Sequence, residues 1–221
     1  MGCDIHMRVE TLPQEQRFPS EPEWKIVEDI FDSPYSFDKG RKINSPYDGR
    51  NYDLFGILAN VRNGSGFAGC DLGNGFNPIS RPKGTPENCS DAGLGFMTRY
   101  GCDGHSHSYF TVQELLDYDW NQVTKSRGYV DIKGYKYFKE YSKPNMWCGD
   151  SSGSRVVKVA NKEMDRLIET NSFDPEKFYY TQVEWEVKYS DAAGSFFTET
   201  IPKLKELGDP DKVRIIFFFD N

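Results

Sequence analysis

Apolar and polar residues alternate without a break near the start of the 221-residue chain. Cys3, Ile5, Met7 and Val9 are apolar, and polar or charged residues occupy the positions between them. A period of two is typical of a β-strand that buries one face and leaves the other outside the core. The pattern therefore predicts a strand over residues 3–10 whose apolar face is buried.

Other segments also have the character of strands. Residues 213–219 are apolar except for Arg214, and a continuous apolar run is typical of a central strand buried on both faces. We expect this strand to be the neighbour of the first strand, with Asp220 placing a carboxylate beside it. Residues 183–189 alternate and predict another strand, and residues 24–27 predict a short strand that pairs back on the first.

Helices are predicted where apolar residues recur every three or four positions after a capping residue. Asn51 can cap a helix over residues 51–61. Thr111 and Glu114 form a capping-box pattern for a helix that ends near Trp120. Two further helices are predicted, over residues 156–170, which carry the longest apolar stripe, and over residues 196–207.

Residues 63–104 are rich in glycine and proline, but large apolar side chains are interspersed among them. A stretch of this length without regular structure is normally functional or disordered. The apolar residues favour order, so we expect an irregular excursion that forms the wall of a site. Residues 129–141 alternate imperfectly and predict a strand or a hairpin around Gly134.

These elements together predict a single domain over residues 1–221 of the α+β class. We expect a mixed or antiparallel sheet with helices mainly on one face, in addition to the Gly-rich excursion. The strand-helix-strand order of residues 181–221 resembles half of an α+β sandwich.

Composition excludes several classes of function. A net charge of −7 argues against general binding of DNA or RNA, which requires a basic surface. The five cysteines are odd in number and lack Cys-x-x-Cys spacing, which argues against a disulfide framework or a zinc ribbon. No apolar run reaches the roughly 20 residues of a membrane span, and no secretory signal precedes the first strand. We therefore expect a cytoplasmic protein with no membrane partner.

All three histidines lie in two short motifs, Asp4-x-His6 and Asp103-x-His105-x-His107. Asp4 and His6 are two positions apart, so they share one face of the predicted strand. Aspartate and histidine together bind divalent metals such as Zn or Mn, so these five residues are the candidate metal ligands. Such a metal would acidify a water molecule and stabilise negative charge on a phosphoryl group.

A metal-free site is the alternative. His6 and His105 would then act as general base and general acid in phosphodiester cleavage, with the two motif aspartates completing the catalytic set. Arg8 would neutralise the phosphate, and Arg81 and Lys83 would add positive charge from the excursion. Without catalysis, His6, Arg8 and His105 would hold an anionic ligand. The simplest structural interpretation gives His6 a hydrogen bond on the sheet face and His105 a place in a capped turn.

Four sequence features span both ends and the middle of the chain. They are Gly2-Cys3-Asp4-Ile5-His6, Asn51-Tyr52-x-Leu54-Phe55 followed by Val61-Arg62-Asn63, Asp103-Gly104-His105-Ser106-His107-Ser108, and the closing apolar run through Asp220-Asn221. Together they resemble a family of hypothetical bacteriophage proteins. No activity is established for that family, so the resemblance transfers no catalytic role. It does imply a place in the cytoplasm of an infected host and a link to nucleotide immune signals.

Three functional hypotheses follow. The leading one is a hydrolase of the phosphodiesterase type that acts on a small phosphorylated nucleotide, such as a cyclic dinucleotide immune signal. The second is an oligomeric sponge that binds such a nucleotide without cleaving it. The third is a host-interaction protein with no small-molecule site. For the first two, we predict that His6 and His105 lie in one site.

Overall fold

The computed structural model describes residues 2–13, 23–32, 40–66, 69–73 and 75–221. Its described part contains helices together with antiparallel and mixed sheets, which confirms the α+β class. The strands are β1 (Asp4–Thr11), β2 (Lys25–Ile26), β3 (Phe31–Asp32), β4 (Lys42–Ile43), β5 (His105–Thr111), β6 (Val123–Asp131), β7 (Val156–Val159), β8 (Phe178–Lys188) and β9 (Val213–Asp220).

Helical segments connect these strands. The α-helices are α1 (Tyr52–Ala59), α2 (Asp91–Met97), α3 (Val112–Asp117), α4 (Ile132–Tyr141), α5 (Asn161–Thr170), α6 (Tyr189–Ala193) and α7 (Ile201–Lys205). Short 3-10 turns occupy Gly101–Asp103 and Pro210–Lys212, and a π-helical turn occupies Phe196–Thr200. No helix in the described ranges is long and apolar enough to cross a membrane.

The first sheet has the strand order β2-β1-β9-β5, and every pair in it is antiparallel. The predicted pairing of the first and last strands is confirmed, with His6 opposite Phe218. Ile5, Met7 and Val9 are at most 4% exposed, which confirms the burial expected from the alternation. The short strand β2 pairs with the end of β1, as predicted.

Strand β9 is buried on both faces, as its continuous apolar sequence predicted. On one face, Phe217 and Phe219 join the main core, to which α1, α3, α6 and α7 contribute side chains. On the other face, Ile216 and Phe218 pack with Met97 of α2. Helices therefore lie mainly on one face of this sheet, while α2 covers part of the second face.

The second sheet has the order β6-β8-β7 and is mixed, because β6 is antiparallel and β7 parallel to β8. Its buried face packs on α4 and α5 through a separate apolar cluster of Val130, Tyr135, Met164, Val183 and Trp185. Strands β3 and β4 form an additional two-stranded pair.

The prediction that residues 181–221 form half of one sandwich is wrong, because β8 and β9 belong to different sheets. The connection between them explains the separation. Tyr189 and Ala193 of α6 and Ile201 and Leu204 of α7 are buried in the core of the first sheet. The chain therefore leaves the second sheet at the end of β8 and enters the first sheet through these helices.

The predicted helix over residues 156–170 is correct only from Asn161 onward. Val156, Val157 and Val159 belong to β7, which pairs with the first residues of β8. Valine is branched at Cβ and favours strands over helices, so the apolar stripe combined a strand with the helix α5 that follows it. Here tertiary pairing decided the conformation.

The predicted strand or hairpin over residues 129–141 is also wrong beyond Asp131. The Asp131 side chain accepts a hydrogen bond from the Gly134 backbone N–H at 2.7 Å and caps α4. Strand β6 therefore ends where α4 begins. The imperfect alternation arose because one end of the segment has strand period and the other has helix period.

The Gly-rich excursion over residues 63–104 contains a helix that the sequence did not indicate. Helix α2 begins after Ser90, whose side chain accepts a hydrogen bond from the Gly93 backbone N–H at 3.0 Å. Two of its seven residues, Gly93 and Gly95, are poor helix formers, which weakened the sequence signal. Residues 67, 68 and 74 of the excursion lie outside the described residues.

Candidate functional site

His6 lies on the face of β1 that points away from the main core. Its ring is between the rings of Tyr100 and Phe218, with centroid distances of 4.5 and 4.9 Å. Its Nε2 atom is 3.2 Å from an Asp220 carboxylate oxygen, at an angle that does not form a hydrogen bond. The side chain is 25% exposed. The imidazole is therefore held by aromatic neighbours, faces a carboxylate with one nitrogen and retains access to solvent.

His107 stacks on the same phenylalanine ring as His6. Its ring centroid is 5.3 Å from that of Phe218, and its Nε2 atom is 2.8 Å from the Met97 carbonyl oxygen. Strand β9 lies between β1 and β5, so Phe218 separates the strands that carry the two histidines. The two imidazoles share an aromatic neighbour but do not face each other as a general acid and base.

His105 lies on the other side of β5, opposite Phe219, with their ring centroids 6.1 Å apart. The pairing of β5 with β9 is irregular between His105 and Ser108, and Ser106 has a positive φ of 52°. This bulge shifts the alternation of side chains, so His107 joins the His6 face. The structure therefore brings His107, rather than His105, to the ring on which His6 stacks.

The predicted aspartates have other surroundings. Arg50 donates two hydrogen bonds to the Asp4 carboxylate, at 2.7 and 2.5 Å, and these bonds lower the pKa of Asp4. Asp103 is exposed at the end of a 3-10 turn. In the described ranges, no three or more His, Cys, Asp or Glu side chains are arranged to hold a metal ion. The geometry therefore gives the predicted Zn or Mn site no support.

The two basic residues predicted from the excursion also lie elsewhere. The Lys83 ammonium is 2.5 Å from a Glu114 carboxylate oxygen and 4.5 Å from the centre of the Phe110 ring. Glu114 belongs to the capping box of α3, so Lys83 is tied to that helix start. Arg81 is exposed and forms no ion pair with any described residue. Neither side chain lines the pocket that contains Arg8.

Arg8, two positions after His6 on the same face of β1, lines a pocket of about 320 Å³. Arg99, from the turn after α2, lines the same pocket and is followed directly by Tyr100. We call it the Arg8–Arg99 pocket. Its other walls are Ile26, Glu28, Asn44, Ala92, Gly95 and Phe96.

The two guanidinium groups of this pocket have no ion-pair partner among the described residues. Neither forms an ion pair within 4.0 Å with a described residue. One Arg8 nitrogen donates to the Met7 carbonyl oxygen at 2.9 Å, and its guanidinium carbon is 4.8 Å from the centre of the Phe96 ring. Burial and, after it, the charge of Arg99 lower the pKa of Arg8, against a smaller opposing effect of nearby acidic groups that include Glu28. Two like charges thus converge on one cavity.

A buried ion pair holds the start of α2 on this face of the sheet. Glu10 accepts a hydrogen bond from Arg214 Nε at 2.8 Å and further bonds from the backbone N–H and hydroxyl of Ser90. Arg214 also donates to the side-chain oxygen and the carbonyl oxygen of Asn88. Both charged side chains are at most 4% exposed. The pair thereby fixes the helix that carries Phe96 and leads to Arg99.

Sequence reasoning identified His6, Arg8 and the position of Asp220, but it missed Arg99 and Tyr100. Both missed residues belong to the turn after α2. The excursion was expected to form the wall of a site, but without a prediction of α2 nothing indicated which of its side chains would reach β1. A helix cap at Ser90 followed by apolar residues was the available signal.

The described residues therefore form an α+β protein with an arginine-lined pocket beside a histidine–carboxylate contact. No protein-family model matches the chain, and neither a curated protein nor a solved structure matches it. The comparisons contribute no activity, ligand or source, and the similarity to bacteriophage proteins stays a prediction.

Proposed function

We propose that this chain binds a small phosphorylated nucleotide, with its phosphate in the Arg8–Arg99 pocket. One observation carries the proposal: two guanidinium groups line one cavity, and neither forms an ion pair with a described residue, although the Glu28 carboxylate lines the same cavity. A phosphate placed between them would relieve their repulsion. It would also accept paired hydrogen bonds, for which the planar guanidinium group is well suited.

The surroundings of the pocket support a nucleotide over a simple anion. Tyr100 follows Arg99 and is 36% exposed, with its ring against His6. An exposed aromatic side chain beside a cationic pocket offers a stacking surface for a base next to the phosphate position. Tyr100 does not line the pocket, so a base stacked on its ring would lie outside the cavity that holds the phosphate.

Phosphodiester hydrolysis is the activity that we propose for His6. The Nε2 atom would need a small change of angle to donate a hydrogen bond to Asp220, 3.2 Å away, and the lone pair of the neutral imidazole would then be on Nδ1. Nδ1 would then take a proton from water, and the resulting hydroxide would attack the phosphorus held by Arg8 and Arg99. The P–O bond to the leaving group would break, and the departing oxygen would take a proton from solvent.

Sequestration without cleavage is the second candidate. It is favoured by the position of His107, whose Nε2 contacts the Met97 carbonyl oxygen and whose ring is separated from His6 by Phe218. No second histidine therefore faces His6 as a general acid. In that case the protein would act as a nucleotide sponge, and we expect a homo-oligomer.

We propose a biological setting that rests on the predicted resemblance to bacteriophage proteins. A nucleotide immune signal in the cytoplasm of an infected host is the ligand class that we propose, and cyclic dinucleotides are its leading members. A host-interaction protein without a small-molecule site is the remaining alternative, and a failure to bind any phosphorylated compound would favour it.

Isothermal titration calorimetry tests the binding proposal with cyclic dinucleotides, linear dinucleotides, mononucleotides and inorganic phosphate. A charge-assisted hydrogen bond contributes about 1.5–3 kcal/mol, so Arg8→Gln and Arg99→Gln should each weaken binding about ten- to a hundredfold. Arg81→Gln is the matched control, because it removes an exposed arginine that does not line the pocket. Equal affinity in all four proteins would contradict the assignment of the pocket.

Chromatography of the incubated ligand separates the two candidate functions. If the chain is a hydrolase, product accumulates with the wild type, and His6→Gln abolishes turnover while it retains most of the binding. If the chain is a sponge, the ligand is recovered intact from the wild type. Unchanged turnover in His6→Gln would contradict the role of His6 as general base.

A further inference from the structure

A second pocket, of about 370 Å³, lies against the other sheet. It is formed by the end of β6, the first turn of α4 and residues 145–148, and it shares no lining residue with the Arg8–Arg99 pocket. We call it the Trp147 pocket. The side chains on which its chemistry depends are Lys133, Asn145, Met146 and Trp147.

The indole of Trp147 is fixed in place although it is 43% exposed. Its ring packs on that of Trp185, with centroids 5.2 Å apart. A Cβ atom at Gly128 would come within 2.6 Å of the indole, so only glycine at that position of β6 permits this close approach. Cys148 exchanges two backbone hydrogen bonds with Tyr129, at 2.8 and 3.0 Å. The aromatic surface is therefore preorganised.

Two polar side chains around this surface have no partner in the described part of the chain. Lys133 and the side chain of Asn145 form neither a hydrogen bond nor an ion pair with any described residue. The carboxylate of Asp131 is occupied by the cap of α4, where it accepts the N–H of Gly134. Met146 is 78% exposed and adds an adaptable apolar wall. A rigid aromatic surface thus borders an amide and an ammonium group that no described side chain engages.

We infer that the Trp147 pocket binds a planar heteroaromatic ring of the nucleobase class. Bases stack on aromatic side chains, and their edges are read by amide and cationic donors such as those of Asn145 and Lys133. The pocket volume lies in the range of small-molecule sites, about 300–1,000 Å³. This site requires no phosphate and goes beyond the function proposed for the Arg8–Arg99 pocket.

Nuclear magnetic resonance titration with unphosphorylated nucleosides tests the inference. The probes are adenosine, guanosine, cytidine and uridine, with ribose as the non-aromatic control. We expect at least one nucleoside to shift the indole N–H signal of Trp147 saturably, while ribose shifts nothing. Trp147→Ala should weaken binding about five- to a hundredfold, as removal of one stacking partner does. Trp147→Phe should retain most of it, and it serves as the folded variant if Trp147→Ala is unstable.

Tyr141→Ala is the matched control, because Tyr141 is 55% exposed on α4 but does not line the pocket. It should leave nucleoside binding unchanged. The inference is overturned if no nucleoside gives saturable shifts, or if the shifts persist fully in Trp147→Ala. Arg8→Gln should not change nucleoside binding, so failure of this inference is distinguishable from failure of the phosphate site.

Discussion

The buried pair of Glu10 and Arg214 gives the sharpest stability prediction. Arg214→Met removes the guanidinium and keeps an unbranched apolar side chain beside Glu10, which is 0% exposed in the wild type. The carboxylate then retains the two Ser90 donors but loses its opposing charge. The side-chain oxygen and the carbonyl oxygen of Asn88 lose the hydrogen bonds that they accept from Arg214. Trp24 loses its contact with the guanidinium group, whose carbon lies 3.9 Å from the ring centre.

The expected cost follows from these losses. Removal of one partner of a buried ion pair costs about 3–5 kcal/mol, because an uncompensated charge stays in the interior. A second substitution, Glu10→Gln, removes that charge and retains an oxygen for the Ser90 donors. We therefore expect Glu10→Gln to destabilise the wild type but to stabilise Arg214→Met.

Urea unfolding of the four proteins measures the free energies of unfolding and closes the double-mutant cycle. Arg166→Met is the control, because Arg166 pairs with Glu163 on the exposed face of α5 and should change stability little. The account of the buried pair is refuted if Glu10→Gln destabilises both backgrounds equally, or if Arg214→Met resembles Arg166→Met.

Three further predictions concern other parts of the fold. Ile5→Ala should lower the free energy of unfolding in urea by about 2–5 kcal/mol, and an unchanged midpoint would contradict its burial. Arg50→Gln should lower Tm slightly at pH 7. This difference in Tm should vanish as the pH falls through the folded-state pKa of Asp4, which the Arg50 hydrogen bonds hold below its ordinary 3.8. A difference that persists at lower pH would contradict the pairing. Iodoacetamide at pH 8 should modify exposed Cys102 well before Cys89, because burial and the charge of Glu10 raise the pKa of the Cys89 thiol to about 12. Equal rates of modification, measured by peptide mass spectrometry, would refute this.

The strands at the two ends of the chain were predictable because burial of one or both faces determines their sequence patterns. Alternation over β1 and the apolar run of β9 each have one structural explanation, and their pairing follows from the need to bury both. The capping box of Thr111 and Glu114 was predictable for a similar reason, since both hydrogen bonds form within four residues.

The site was only partly predictable, because two structural features that leave no sequence pattern decide which residues form it. The left-handed Ser106 shifts the register of β5 and places His107, rather than His105, beside Phe218. Serine seldom adopts this conformation, so no pattern indicated the bulge. Arg99 reaches the pocket only because α2 packs on the first sheet, which depends on buried contacts distant in sequence.

A crystal structure with the tightest-binding nucleotide tests the central claim most directly. The account predicts a phosphate within hydrogen-bond distance of both Arg8 and Arg99, with the rest of the nucleotide extending toward Tyr100 and His6. A well-ordered nucleotide whose phosphates contact neither arginine would contradict it.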